Sequence, residues 1–497
     1  MKRLLLFPGI ALSIFSGVAE TQISSVSKHK SPNILLITAD DLGIGSVGCF
    51  GGKPQGLTPN LDRFAKEGIR FNHAHVNAAI CMPSRIVLGT GLYSHNSGAM
   101  GFIPAREDVP TVIELFKNAG YRTGVLGKVG HSTPNKRASW DYAFEQKELG
   151  NGRSPNIYYQ RCKTFFDQCK AEGKPFYFMV NSHDPHRPFQ IPGELSDGAE
   201  NPSKLYSPQE AIIPGFVSDL PDVRKEMSYY QNSVRRMDDT FGKVLQALEE
   251  SGNKENTIIM FLSDNGISLP FAKCNTYLAS THTPWMVSWP GVVKPNTIDS
   301  THFISGIDFL PTVLEATGIK KPEKLDGMSF VPLLKGKLQV GRDKVFTQID
   351  RQAGGQAIPM RCVQDAKYGF IFTPWSNGAF WYSNNNEGMT MKAMVAASKT
   401  DEKIAARVKM YRYRVLEELY DLEHDPDCLV NLIDNSLYIA ERERLTGEMK
   451  AWMRRTGDPM LPAFEKRYNE EARNIVLKAI YGSYIEPGDQ TKEQNKW

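Results

Sequence analysis

The 497-residue chain has no long run of lysine and arginine, no low-complexity tract and no internal repeat. At a net charge of +4 it lacks the basic stretch a nucleic-acid partner needs, while an anionic substrate remains compatible with that balance. A phosphate-cradling G-x-x-x-x-G-K-[ST] loop is missing, and so is a G-x-S-x-G elbow. Nucleoside-triphosphate and serine-hydrolase chemistry therefore have no support. Past Phe15 no apolar run approaches the about 20 residues that span a bilayer. Cysteine is sparse and odd in number: Cys49, Cys81, Cys162, Cys169, Cys274, Cys362 and Cys428. At least one stays unpaired. The helical look of "YYQRCKTFFDQCKAEG" sets Cys162 and Cys169 about 10 Å apart, beyond disulfide reach.

The first segment present is "MKRLLLFPGIALSIFSGVAETQ", where Lys2 and Arg3 precede an apolar run from Leu4 to Phe15 and then small residues up to Ala19. That is the pattern of a signal peptide over residues 1–19, and it predicts a secreted or periplasmic protein without a stable membrane anchor. A polar linker over 20–31 follows. The hydrophobic fraction of 41% suffices for one large domain, expected over 32–343, and a smaller one over 344–497.

"NILLIT" reads as a strand buried on both faces. "TPNLDRFAKEG" reads as a helix, with Thr58 as its cap, Pro59 in the first turn and Gly68 as its stop. Helix, glycine and strand then recur in "VPTVIELFKNAG" and "YRTGVLGK", in "TFFDQCKAEG" and "PFYFMVNS", and in the long "DVRKEMSYYQNSVRRMDDTFGKVLQALEESG" before "TIIMFLSDNG". "PWMVSWPG" adds one more strand. Such alternation predicts an α/β fold with a large, mainly parallel sheet. From about Lys344 the aromatic, alternating "AKYGFIFTPW" and "GAFWYS", followed by charged helical sequence, predict a smaller α+β region.

The strand ends carry the chemistry. "NILLIT" runs into Asp40 and Asp41, "TGVLG" into Lys128 and His131, "PFYFMVNS" into His183, and "TIIMFLS" into Asp264 and Asn265. Open α/β sheets bind ligands outside the carboxyl ends of their strands, so these groups are expected at one edge. Either acidic motif alone reads as a cap or a turn. Together, three carboxylates and an amide form an all-oxygen ligand set that suits Ca²⁺ first and Mg²⁺ second. Lys128, His131, His183 and Lys273 supply the cationic and proton-bearing groups that neutralise an oxyanion and protonate a leaving group. Cys81, in "AAICMPSRIVLGTGL", falls at the start of a helix through Ile86, Val87 and Leu88, where the dipole favours an anion. A thiol is nevertheless an odd partner for a hard cation.

"CMPSR" matches the C-x-P-S-R signature of the formylglycine-dependent sulfatases. "PNILLITADDLG", "GKVGH", "HDPHRPF", "SDNG", "PWMVSWPG", "LDGMSFVPLLKG" and "ELYDLEHDPDCLVNL" follow as landmarks in family order. Within that group "HDPHR" and "SDNGISLPFAKCNTY" are most similar to the N-sulfoglucosamine sulfohydrolases, the heparan sulfamidases. The resemblance implies the alkaline phosphatase-like sulfatase fold. It also implies that Cys81 is converted to formylglycine (3-oxoalanine) by a formylglycine-generating enzyme that reads Pro83 and Ser84. Asp40, Asp41, Asp264 and Asn265, with the modified residue 81, would hold Ca²⁺. A hydroxyl of the aldehyde hydrate would attack sulfur, Arg85 and Lys128 would position it, and His131 would take the remaining hydroxyl proton. His183 would protonate the departing group, and Lys273 would bind sulfate oxygens.

The expected substrate is a sulfated carbohydrate, N-sulfated glucosamine of heparan or heparin first. A carbohydrate O-sulfatase or arylsulfatase is the alternative, then a phosphonate or phosphate ester hydrolase, then an inactive carbohydrate-binding relative. Three positions depart from the family pattern: Met82 stands where a small residue is usual, "GKVGH" spaces Lys128 and His131 one residue further apart, and Cys428 replaces a frequent acid.

Overall fold

The segment NILLITA becomes β1 (Asn33–Ala39), buried at every position, near the middle of an eight-stranded sheet. Leu35, Ile37 and Ala39 enter one hydrophobic core while Ile34 and Leu36 enter another, so period-two alternation serves both faces. This computed structural model describes Met1, Leu4 and residues 31–482. The expected signal peptide and linker therefore lie, apart from Met1, Leu4 and Ser31, outside the described residues. No described helix is long and apolar enough to cross a membrane.

The other strands of the sheet are β2 (Ile69–His75), β3 (Arg122–Leu126), β4 (Tyr142–Phe144), β5 (Phe176–Asn181), β6 (Thr257–Ser263), β7 (Trp285–Ser288) and β8 (Thr297–Ser305), in the order β4-β3-β5-β1-β6-β7-β2-β8. β1 pairs in parallel with β5 and β6, and β3 and β4 continue the parallel run. β7 runs antiparallel to both its neighbours, and β2 pairs with β8 in parallel. The mainly parallel sheet is as expected. β2, β4 and β8 carry no continuous apolar run, and the pattern that announced the other strands missed them.

The helix Pro221–Glu250 packs the stripe Val223, Met227, Tyr230, Val234, Met237, Phe241, Val244 and Leu248 into the first core, a spacing of three and four residues. No backbone N–H of the helix Pro59–Phe64 donates to the Thr58 side chain, contrary to the expected cap. The Thr58 hydroxyl is turned to Gly48 N and Asp62 Oδ1. Asp238 of the long helix instead accepts from Asn60 N at 3.0 Å and Leu61 N at 2.9 Å, because a neighbouring carboxylate meets the helix dipole better than a hydroxyl does.

A second, antiparallel sheet of β9 (Lys344–Arg351), β10 (Ala357–Asp365), β11 (Tyr368–Phe372) and β12 (Glu417–Asp421) has the order β12-β11-β10-β9. "GAFWYS" is not a strand: Phe380, Trp381 and Tyr382 are buried by packing and by a bond from Tyr382 N to Arg412 O, outside any ladder. Both sheets belong to one compact unit beginning at Pro32. All seven cysteines are free thiols, and Cys162 and Cys169 share the helix Pro155–Glu172.

Candidate active site

The ends of β1, β3, β5 and β6 and the start of the helix Cys81–Thr90 converge. Asp40 and Asp41 follow β1 directly, both fully buried, and Asp41 adopts a left-handed φ of 70°. Such a conformation is uncommon for a side chain other than glycine and is held here by its neighbours: Asp41 N donates to Asp264 Oδ1 at 3.1 Å. Asn265 Nδ2 donates to Asp41 Oδ1 at 2.7 Å, leaving Asn265 Oδ1 buried with no hydrogen-bond partner. Carboxylate oxygens of Asp40, Asp41 and Asp264 lie within 4.8 Å of one another. An orphaned amide oxygen beside three converging carboxylates fits a hard divalent cation.

Three cations meet these acids. Lys128 Nζ is 2.5 Å from Asp40 Oδ2 and Lys273 Nζ is 2.6 Å from Asp41 Oδ1. Arg85 Nη2 is 2.8 Å from Asp264 Oδ2, with both side chains at 0% exposure. Counted as fully ionised, the three carboxylates balance these three positive charges, so a divalent cation would make the pocket positive and ready for an anion. Gly127 must be glycine before Lys128: its φ is +68° and a Cβ there would sit 2.6 Å from Asn181 O.

Burial pushes Asp40 up, but Lys128, His186, Arg85 and Lys273 outweigh it and hold the carboxyl well below its usual range. Asp264 goes the other way, pushed up to about 7 by burial and then by the Asp40 charge. The two part because cations surround Asp40, while Asp264 adds the Asp40 charge to the effect of its own burial. Burial and Asp40 drive the Cys81 thiol upward, so it is not a thiolate at neutral pH. Its sulfur lies 3.4 Å from Asp40 Oδ1.

Cys81, Lys128, His131, His186, Arg187 and Lys273 line one cavity of about 530 Å³, together with Phe102 and a wall from Gln352, Ser383, Asn384 and Asn385. Burial and then Lys128 lower His131 to about 4. His183 is buried and absent from the cavity lining; burial and then Lys128 lower it to about 2. His186, from the same loop, takes the exposed place, with Nε2 3.9 Å from Asp41 Oδ2. Arg85 is also absent from the lining: it binds Thr38 Oγ1 at 2.8 Å and Asn181 Oδ1 beneath residue 81.

Thr38 and Asn181 escaped the sequence reading, although a polar residue closing an otherwise apolar strand was a usable signal. So did the clamp on Asp184, which takes Arg236 Nε at 2.6 Å and Arg153 Nε at 3.2 Å and fixes the loop bearing both histidines. No local signal announced the wall from residues 352–385. Met82 packs against a small cluster with Ile86, Leu92, Ala99, Ala105 and Val109, and Cys428 is buried.

Comparison with known proteins places this arrangement. A family model described as Sulfatase matches residues 32–319, and one described as N-sulphoglucosamine sulphohydrolase, C-terminal, matches residues 269–410. An ulvan-active sulfatase of Formosa agariphila is 29% identical over 436 residues, covering 86% of this chain and 81% of its own. The N-sulphoglucosamine sulphohydrolase of Homo sapiens is 27% identical over 478 residues, covering 89% and 93%. In fold, a solved protein in complex with its substrate D-glucosamine-2-N,6-O-disulfate has a TM-score of 0.64 at 19% identity, covering 86% of this chain and 99% of that one. The strand ends bearing Asp40, Lys128 and Asp264 and the helix start at Cys81 all fall inside the matched sulfatase region, and the chain belongs to the sulfatase family of sulfuric ester hydrolases.

Proposed function

We propose that the protein removes sulfate from a sulfated carbohydrate, with the N-sulfate of a glucosamine unit as the preferred target, through formylglycine made from Cys81. The observation that carries this reading is the placing of Cys81 at a helix start, 3.4 Å from Asp40 Oδ1, in a cavity shared with Lys128, His131, His186 and Lys273. The match of residues 269–410 to the C-terminal part of N-sulphoglucosamine sulphohydrolase supports the sugar.

The cysteine sulfur stands where formylglycine carries its carbonyl oxygen. Hydration of that aldehyde gives two hydroxyls on one carbon. One hydroxyl oxygen bonds to the substrate sulfur as the S–N or S–O bond breaks, and its proton passes to Asp40 Oδ1, the carboxylate oxygen that faces residue 81. Lys128 and Lys273, both kept protonated by adjoining carboxylates, bind the sulfonyl oxygens and the charge they gain. His186 faces the cavity where His183 does not, and in its protonated form it gives the departing amine or alcohol its proton. His131 then takes the proton of the remaining hydroxyl; the C–O bond to sulfate breaks, sulfate leaves and the aldehyde reforms. Arg85 positions residue 81 by tying its helix to Thr38, Asn181 and Asp264. Asp40, Asp41, Asp264 and Asn265 would hold a divalent cation, Ca²⁺ in this proposal, which supplies Lewis acidity and charge for the sulfonyl group.

Peptide mass spectrometry of the fragment around residue 81, with sulfate release from N-sulfated and 6-O-sulfated glucosamine, tests the proposal. The expected result is formylglycine at 81 and faster release from the N-sulfate. Cysteine alone at 81 in active enzyme overturns the nucleophile, and cleavage of aryl sulfate with inertness toward both sugars overturns the substrate.

A further inference from the structure

Beside the cavity lies a second ligand set that shares only Asp40 with the oxygen quartet. One ligand atom each from Asp40, Cys81 and His186 lie within 4.8 Å of one another. Two local contacts decide which atoms of His186 and Asp40 are available to such a set. His186 Nδ1 is 2.6 Å from the carbonyl oxygen of Arg187. A carbonyl only accepts, so Nδ1 carries the proton and Nε2 turns its lone pair to the cavity, the arrangement in which histidines ligate metals. Asp40 is divided: Oδ2 engages Lys128, and Oδ1 faces the sulfur at 3.4 Å.

Nitrogen, sulfur and one carboxylate oxygen are the donors of zinc, and three protein ligands leave a fourth position for water. Bond lengths of about 2.0–2.3 Å set tetrahedral ligand atoms roughly 3.5 Å apart, so the set closes with an adjustment of about 1 Å. The His186 side chain, 29% exposed, has room to make it.

We propose that the chain with Cys81 unconverted binds a thiophilic divalent cation, Zn²⁺ first, through Cys81 Sγ, Asp40 Oδ1 and His186 Nε2. Binding releases the thiol proton to solvent and forms a metal–thiolate bond. Conversion of Cys81 removes the sulfur and with it the site, leaving only the oxygen quartet. Asp40 belongs to both sets, so Zn²⁺ on the cysteine form and Ca²⁺ on the quartet compete. The inference rests on the geometry of the cysteine form and stands whether or not the sugar assignment does.

The test uses full-length protein from a host lacking formylglycine-generating activity, with Cys81 verified as a thiol by mass spectrometry. Titration with Cd²⁺ should raise a thiolate-to-metal charge-transfer absorption that saturates at one equivalent, and calorimetry with Zn²⁺ should give the same stoichiometry. Cys81→Ser should abolish the absorption, and His186→Ala should keep it while weakening Zn²⁺ by roughly 100-fold or more. Circular dichroism confirms that both variants are folded. The converted protein should show no absorption change. Absence of stoichiometric uptake by the cysteine form overturns the proposal, as does uptake of equal affinity by folded Cys81→Ser.

Discussion

At the scale of single residues, the site pairs three carboxylates with three cations, and each member depends on its partner. Arg85 and Asp264 illustrate the cost of breaking it. Both are wholly buried, so Arg85→Ala leaves an uncompensated charge and should destabilise the fold by about 3–5 kcal/mol in denaturant titration. A loss under about 1 kcal/mol would contradict the pairing. The two loop histidines separate on exposure. His186→Ala should lower kcat by about 10²–10⁴ on substrates with poor amine or alcohol leaving groups, and by much less on an aryl sulfate, whose leaving group needs no proton. His183→Ala, behind the cavity, should show no such dependence on the leaving group. The reverse ranking would return the acid role to His183.

At the scale of elements, strand ends present the groups and distant elements hold them still. The long helix Pro221–Glu250 supplies Arg236 to clamp Asp184, and Asp238 to cap the helix Pro59–Phe64. In the second sheet, Arg361 of β10 sets its guanidinium on Asp458 at 2.6 Å and Asp350 at 3.0 Å, all buried. Burial pushes Asp458 up, yet Arg361 outweighs it and holds the carboxyl below its ordinary value. With the folded value below the unfolded one, the stabilisation is full above about pH 4 and is lost as pH falls through the lowered value. Urea midpoints against pH should show this acid loss in the parent protein and lack that part of it in Asp458→Asn, which should also be less stable at neutral pH. Identical profiles for the two would remove Asp458 from the acid transition.

At the scale of the whole molecule, one wall of the cavity comes from sequence far beyond the catalytic motifs. Asn385 Nδ2 donates to Lys273 O at 3.1 Å and the Tyr382 hydroxyl to Cys274 O at 2.6 Å, so the segment after β11 steadies the loop that delivers Lys273. A bound cation should stabilise this assembly by mass action. Removing it with a chelator should lower Tm by about 3 °C relative to protein at a hundredfold excess over Kd, and abolish sulfate release. Ca²⁺ should restore both better than Mg²⁺. Full activity after exhaustive chelation would refute a metal role for Asp40, Asp41, Asp264 and Asn265. The sequence by itself determined the α/β class and the strands that are apolar on both faces, because burial writes a continuous run that needs no partner to be recognised. It also set Asp40, Cys81, Lys128 and Asp264 at element ends, since polar residues interrupt such runs only where a strand stops or a helix starts. Tertiary structure alone decided which histidine meets the cavity, which side chains cradle Arg85, and that residues 352–385 close one wall. Those depend on contacts between segments up to hundreds of residues apart, which local composition and periodicity do not encode.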